Sequence, residues 1–111
     1  MAIYANINID QGSDFLSVIT VEDTAGNVVN LTGYTAAGQI RKTYASNTVS
    51  ATFGASITQP TSGKISLTLP ASTTNSMKFG RYVYDVEITS SGGTVSRVIE
   101  GQVEVLPGVT R

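Results

Sequence analysis

No cysteine and no histidine occur anywhere in the 111 residues. The first absence excludes disulfide staples, thiol nucleophiles and thiolate metal sites; the second removes the commonest general base and the commonest metal ligand. A serine nucleophile would have to use Lys42, Lys64 or Lys78 as its base, and none of them stands in a Ser-x-x-Lys pattern. Charge is scarce as well. Seven Lys and Arg against eight Asp and Glu leave a net charge of −1, and charged residues are 14% of the chain against about 25% in an average soluble domain. So sparse and balanced a distribution predicts no nucleic-acid footprint and no polybasic membrane surface. Nor does any stretch approach the roughly 18 apolar residues of a membrane span. Met1-Ala2-Ile3-Tyr4 lacks the basic start of a signal peptide, and Asn6, Asn8 and Asp10 interrupt any apolar run.

What is abundant is hydroxyl: Ser and Thr supply 27 of the 111 residues. They alternate with aliphatic residues instead of clustering as a linker would, which predicts pleated strands whose outer faces are hydroxylated, not charged. The length is that of one domain, 1–111, with a single modest core.

Along the chain, Ile3, Ala5, Ile7 and Ile9 alternate with Tyr4, Asn6, Asn8 and Asp10, so a strand opens the sequence. Phe15 to Glu22 is apolar on both faces, the pattern of a central strand. Asp23 to Asn27 is a hairpin-like loop, and Leu31-Thr32-Gly33-Tyr34 a tight connection in which Gly33 supplies conformational freedom. Thr35 to Lys42 follows, its small Ala36 and Gly38 predicting the close approach of something large. Tyr44 to Ser50 reads as an exposed loop or edge, and Ala51 to Thr58 as a strand with Phe53, Ala55 and Ile57 on one face. After the turn Gln59-Pro60-Thr61-Ser62-Gly63, the alternation of Ile65, Leu67 and Leu69 marks a half-buried strand.

A helical turn is expected near 72–78, capped by Ser72, Thr73 or Thr74 and ended by Gly80 in a left-handed conformation. Arg81 to Thr89 places Tyr82, Tyr84, Val86 and Ile88 on one face, and Thr94 to Leu106 returns antiparallel beside it. Gly101 is expected to break the phase of that last strand as a β-bulge, and Asp85 and Glu87 to face Arg97 across the pair. About seven short strands with turns every 8–12 residues or so predict an all-β, immunoglobulin-like antiparallel β-sandwich, with a small barrel as the alternative. The step Gly80-Arg81-Tyr82 at the start of the penultimate strand is where such domains place a tyrosine corner.

Motifs that carry chemistry are missing from the pattern. The acid pairs Asp10/Asp14 and Asp85/Glu87 fall in a turn and on a sheet face, and neither they nor Glu22-Asp23 have EF-hand spacing. Gly92-Gly93 lies between two strands, not before a helix. Arg41, Lys42 and Tyr44 form a lone basic and aromatic cluster, too little for single-strand stacking. No catalytic residue, no metal ligand and no cofactor are expected. Binding to other proteins remains, through charge-poor surfaces and through the edge segments Ala2 to Asp10 or Tyr44 to Thr52. Tyr4, Tyr34 and Tyr44 are the candidate contact aromatics.

Five segments in order resemble small β-sandwich virion proteins of tailed bacteriophages: Ile9-Asp10-Gln11-Gly12-Ser13-Asp14-Phe15; Asn30-Leu31-Thr32-Gly33-Tyr34-Thr35-Ala36 leading to Gln39-Ile40-Arg41; Gly63-Lys64-Ile65-Ser66-Leu67-Thr68-Leu69; Gly80-Arg81-Tyr82-Val83-Tyr84-Asp85-Val86; and Glu100-Gly101-Gln102-Val103-Glu104-Val105. The Leu-Thr-Gly-Tyr step is similar to the amino-terminal sandwich of phage upper-baseplate proteins, with Asn30 where that pattern usually carries Asp. The resemblance implies a non-enzymatic virion component, assembled in the host cytoplasm, that binds neighbouring tail or baseplate subunits or further copies of itself. The alternatives are a capsid decoration protein that reinforces the head shell, and a module for host-surface or carbohydrate recognition through the three tyrosines.

Overall fold

The computed structural model describes residues 3–23 and 25–109; Met1, Ala2, Thr24, Thr110 and Arg111 lie outside the described residues, including the Ala2 end of the expected edge and Thr24 of the expected hairpin loop. Two sheets pack face to face as an immunoglobulin-like β-sandwich. Strands β1 (Ile3–Tyr4), β2 (Ile7–Asp10), β4 (Thr35–Arg41), β5 (Ala51–Thr52), β8 (Gly80–Thr89) and β9 (Val95–Leu106) form the larger sheet in the order β1-β9-β8-β4-β5, with β2 also on β9. Strands β3 (Phe15–Thr20), β6 (Gly54–Gln59) and β7 (Lys64–Leu69) form the smaller one in the order β3-β7-β6. A 3-10 turn at Pro60–Ser62 joins β6 to β7, and a short helix α1 (Ala71–Ser76) joins β7 to β8.

The period-two patterns carry the core. Tyr82, Tyr84, Val86 and Ile88 of β8, Val103 and Val105 of β9, Ile40 of β4 and Ile9 of β2 face Ile65, Leu67 and Leu69 of β7, all buried. Each fully buried aliphatic side chain contributes about 1.5–3 kcal/mol. Phe53, where the chain crosses from one sheet to the other, fills the space left by Gly38: a Cβ on that glycine would stand 3.0 Å from the Phe53 ring and 3.1 Å from Val86. Three aromatic rings then run through the sandwich. Phe15 and Phe53 lie 6.0 Å apart, and Phe53 meets Tyr84 edge-on at 6.1 Å.

That line ends in a hydrogen bond that fixes the first strand. The Tyr84 hydroxyl donates to the Ala5 carbonyl oxygen at 2.7 Å. Tyr84 is registered against Gly101 on β9, and a Cβ on Gly101 would come within 2.0 Å of that same oxygen. Between β1 and β2 the chain therefore bends its Ala5 carbonyl inward over a bare glycine. The ladder is mended by substitutes: Ala5 N–H donates to the Glu100 carbonyl, and Gln102 N–H to the Asn6 side-chain oxygen.

Several expectations are corrected. The first strand pairs with β9 in parallel, Ile3 with Ile99 and Ile7 with Val103, within an otherwise antiparallel fold. Gly101 is not a bulge; the register shift lies between Ile99 and Arg97, opposite Val86 and Glu87, and Gly101 serves the close approach of Ala5. Phe15–Thr20 is not central but an edge, with Leu16 and Val18 exposed on the outer face. Helix α1 has Pro70 as its N-cap and Met77 as its C-cap, so neither Ser72, Thr73 nor Thr74 caps it and Gly80 does not end it; Gly80 instead opens β8 with φ +136°. The Ala71 N–H at its start is taken by the Asp14 carboxylate at 2.7 Å, and the fully buried Thr74 hydroxyl donates to Ser13 O and accepts from Gly12 N–H.

Replacing Tyr84 by Phe keeps the ring contacts but strands the Ala5 carbonyl, and urea unfolding is expected to show a loss of about 1–3 kcal/mol. The same residue predicts an alkaline dependence. Burial first, and neighbouring Tyr4 second, push its hydroxyl up to about 12 from 10.0. The fold favours the neutral form, so its contribution is intact below pH 10.0 and is lost as pH rises through about 12. Unfolding curves from pH 9 to 12 or so should fall more steeply for the natural protein than for Tyr84→Phe. Gly101→Ala is expected to cost about 1–3 kcal/mol by overpacking and, because it displaces the same carbonyl, to be non-additive with Tyr84→Phe in a double-mutant cycle.

Candidate interaction surface

The outer face of the larger sheet carries a groove of about 420 Å³ lined by Gln39, Arg41, Tyr44, Asp85, Glu87 and Arg97 among others. Its cations are committed. Arg41 donates to Ser46 O at 2.8 Å and to the Gln39 side-chain oxygen at 3.0 Å, which ties the loop after β4 back onto that strand. Arg97 pairs with Asp85 at 3.3 Å and with Glu100 at 3.8 Å; Glu87, its registered neighbour and the expected partner alongside Asp85, is not one. Half-exposed pairs of this kind contribute little to folding.

Two further acids and two lysines have local partners. Asp23 Oδ1 accepts from the amides of Ala25 and Asn27, as Asp14 does from Ala71. Lys64 Nζ donates to Thr20 Oγ1 at 3.2 Å, and Lys42 Nζ stands 4.6 Å from the centre of the Tyr82 ring, a cation–π contact. Among the described residues no three of Asp and Glu gather in a way that could hold a metal ion.

The structural glycines and Tyr82 hold corners, not a site. Gly33 has φ +82° in the turn closed by Tyr34 N–H to Leu31 O, and Asn30 Oδ1 accepts from both the amide and the hydroxyl of Thr32 just before it. Asn30 thus does the work that an Asp would do there. The buried Tyr82 donates its hydroxyl to Lys78 O at 2.7 Å, four residues upstream, the arrangement of a tyrosine corner.

The three candidate contact tyrosines do not converge. Tyr4 is 60% exposed on β1 beside Glu100, and Tyr44 is 69% exposed in the loop beyond β4, with β9 and β8 between them. Tyr34 is half-buried against the core. The expected edge segments are likewise unequal: Ile3–Asp10 lies along one edge of the larger sheet, whereas only Ala51–Thr52 of the Tyr44 to Thr52 segment is strand. Sequence reasoning overlooked Leu16, 68% exposed, and Val18, 54% exposed, because a run apolar on both faces reads as interior.

No protein-family model matches the chain, and no curated protein matches it significantly. Its likeness is to solved structures. CopC from Methylosinus trichosporium OB3b superposes with a TM-score of 0.50 at 14% identity, over 94% of this chain and 88% of that one. The Lin-41 filamin domain gives a TM-score of 0.48 at 13% identity, over 91% of this chain and 84% of that one. At 14% identity the likeness to CopC is one of fold alone and carries no function with it.

Replacing Arg97 by Ala is expected to change the unfolding free energy by less than about 1 kcal/mol, with the difference shrinking in high salt. Urea titrations at low and high ionic strength check this.

Proposed function

We propose that this chain is a structural component of a bacteriophage virion, a non-enzymatic sandwich that holds neighbouring tail or baseplate subunits. The observation that carries the reading is the order of the five phage-like segments, each of which falls at a place that decides the fold. Ile9 to Phe15 passes the chain from one sheet to the other; Asn30 to Ala36 sets the turn into β4; Gly63 to Leu69 contains the whole of the central strand β7; Gly80 to Val86 carries Tyr82 and Tyr84; Glu100 to Val105 carries Gly101. Surface chemistry is in keeping with an assembly role. The exposed apolar side chains include Ile3, Tyr4, Leu16, Val18, Tyr44, Phe79 and Val95, on a chain with few charges to keep neighbours away. A module that binds only the assembled form of its partners stabilises that form by mass action.

Particle reconstruction combined with mass spectrometry of purified virions tests the proposal. The expected result is this chain in the particle, in fixed stoichiometry, at contacts between tail or baseplate subunits. Its presence on the head lattice would replace the tail location with capsid decoration, and its absence from purified particles would overturn the virion role.

A further inference from the structure

The immunoglobulin-like sandwich ordinarily places its first strand beside the second, in the sheet of strands A, B, E and D. Here the first strand is held on β9 of the other sheet by the Tyr84–Ala5 bond, so among the described residues β3 has no neighbour on its outer side. Four edges result, and they are not alike. The β1–β2 edge is bent at Ala5, whose carbonyl leaves the ladder, and presents Asn6 and Asn8. Edge β5 is two residues long. Edge β6 carries a register shift between Ile57 and Gln59 and runs into Pro60. Bends, shortness, bulges and proline are the devices by which sheets protect their edges. Strand β3 has none of them: Phe-Leu-Ser-Val-Ile-Thr contains no Gly, Pro or charge and keeps unbroken register with β7 from Phe15 to Thr20.

The free groups can be assigned. Val21 N–H donates to Gly63 O, on the β7 side. By the alternation of an antiparallel ladder, Phe15, Ser17 and Ile19 bond to β7, whereas Leu16, Val18 and Thr20 turn their amides and carbonyls to the open side. The inward side chains tell the same story. Ile65, Leu67 and Leu69 on β7 are fully buried, but their partners Ile19, Ser17 and Phe15 are only half-buried, because no strand among the described residues flanks them.

We infer that β3 is an acceptor edge, completed by an extended segment of a partner protein that carries alternating aliphatic residues between basic flanks. Charge selects this occupant. Asp14 bounds the strand at one end and Glu22 with Asp23 at the other, while the nearby cation, Lys64, lies on β7 bonded to Thr20. A second copy paired antiparallel about Val18 would set Asp14 against Glu22 twice, an arrangement of like charges that a basic-flanked strand reverses. The inference deepens the reading of the chain as an assembly module, but concerns the edge and not the particle, so a failure of either leaves the other standing.

Amide hydrogen exchange followed by NMR on the full chain tests it, with the synthetic peptide Lys-Val-Thr-Val-Thr-Val-Lys as probe and the same peptide with Glu at both ends as comparison. The lysine-flanked peptide is expected to slow exchange at Leu16, Val18 and Thr20 roughly tenfold or more at millimolar concentration, and the glutamate-flanked one far less. Val18→Pro removes one outward amide without touching the β7 ladder and is expected to abolish the effect. Should that variant fold poorly, Glu22→Lys, at an exposed position, is expected to weaken the first peptide and strengthen the second. No slowing at these amides, equal slowing by both peptides, or slowing confined to β1–β2 or β6 would overturn the inference. Slowing that grows with protein concentration alone would also overturn it, by making a second copy the occupant.

Discussion

The hydrogen bond from Tyr84 to the Ala5 carbonyl is the constraint on which the rest of the architecture turns. An amino-terminal strand in a sandwich can close either sheet, and the two choices leave different edges exposed. Here a buried hydroxyl needs an acceptor, a glycine on the adjacent strand leaves room for the acceptor to reach it, and a bend in the first strand presents it. The three requirements are met together with that strand lying along β9. Because burial of an unpaired hydroxyl or carbonyl is costly, a local polar pairing decides a global matter of topology.

The same bond couples the two sheets. The ring that carries the hydroxyl packs edge-on against Phe53, and Phe53 touches Phe15 on β3. The path from the first strand to the open edge on the far sheet therefore runs through three aromatic side chains and no charged group. At one end of the molecule a comparable economy is seen in Gln11, whose amide donates to Met77 O and whose carbonyl accepts from Gly108 N–H, joining the turn between the sheets, the segment after α1 and the chain beyond β9.

Much of this is legible in the sequence alone. The alternation on β7 and β8 marks which face is inside, the small residues of β4 imply a large neighbour, which the structure identifies as Phe53, and the Gly80-Arg81-Tyr82 step points to a tyrosine whose hydroxyl reaches upstream. What could not be read depended on pairing between distant segments. Gly101 signalled a special backbone position, but only the approach of Ala5, remote in sequence, tells a close contact from a bulge. Phe15–Thr20 has the composition of an interior strand, and its composition is compatible with an edge only when something else is to lie beside it. The surface was harder still: three tyrosines chosen for their chemistry proved to lie in three separate places, since nothing in residue type encodes convergence.

The parallel pairing of the first and last strands has a mechanical meaning. Tension applied through the two ends of this fold would pull β1 and β2 one way along β9 and β9 the other, so the backbone hydrogen bonds between them would be loaded in shear and would have to yield together, not one at a time as in a zipper. Rupture under force is governed by the height of the unfolding barrier and not by equilibrium stability. Such a sandwich resists stretching along its strands more than its modest core alone would provide, and the Tyr84 hydroxyl, bonded to Ala5 between β1 and β2, adds one more bond to the set that must yield together.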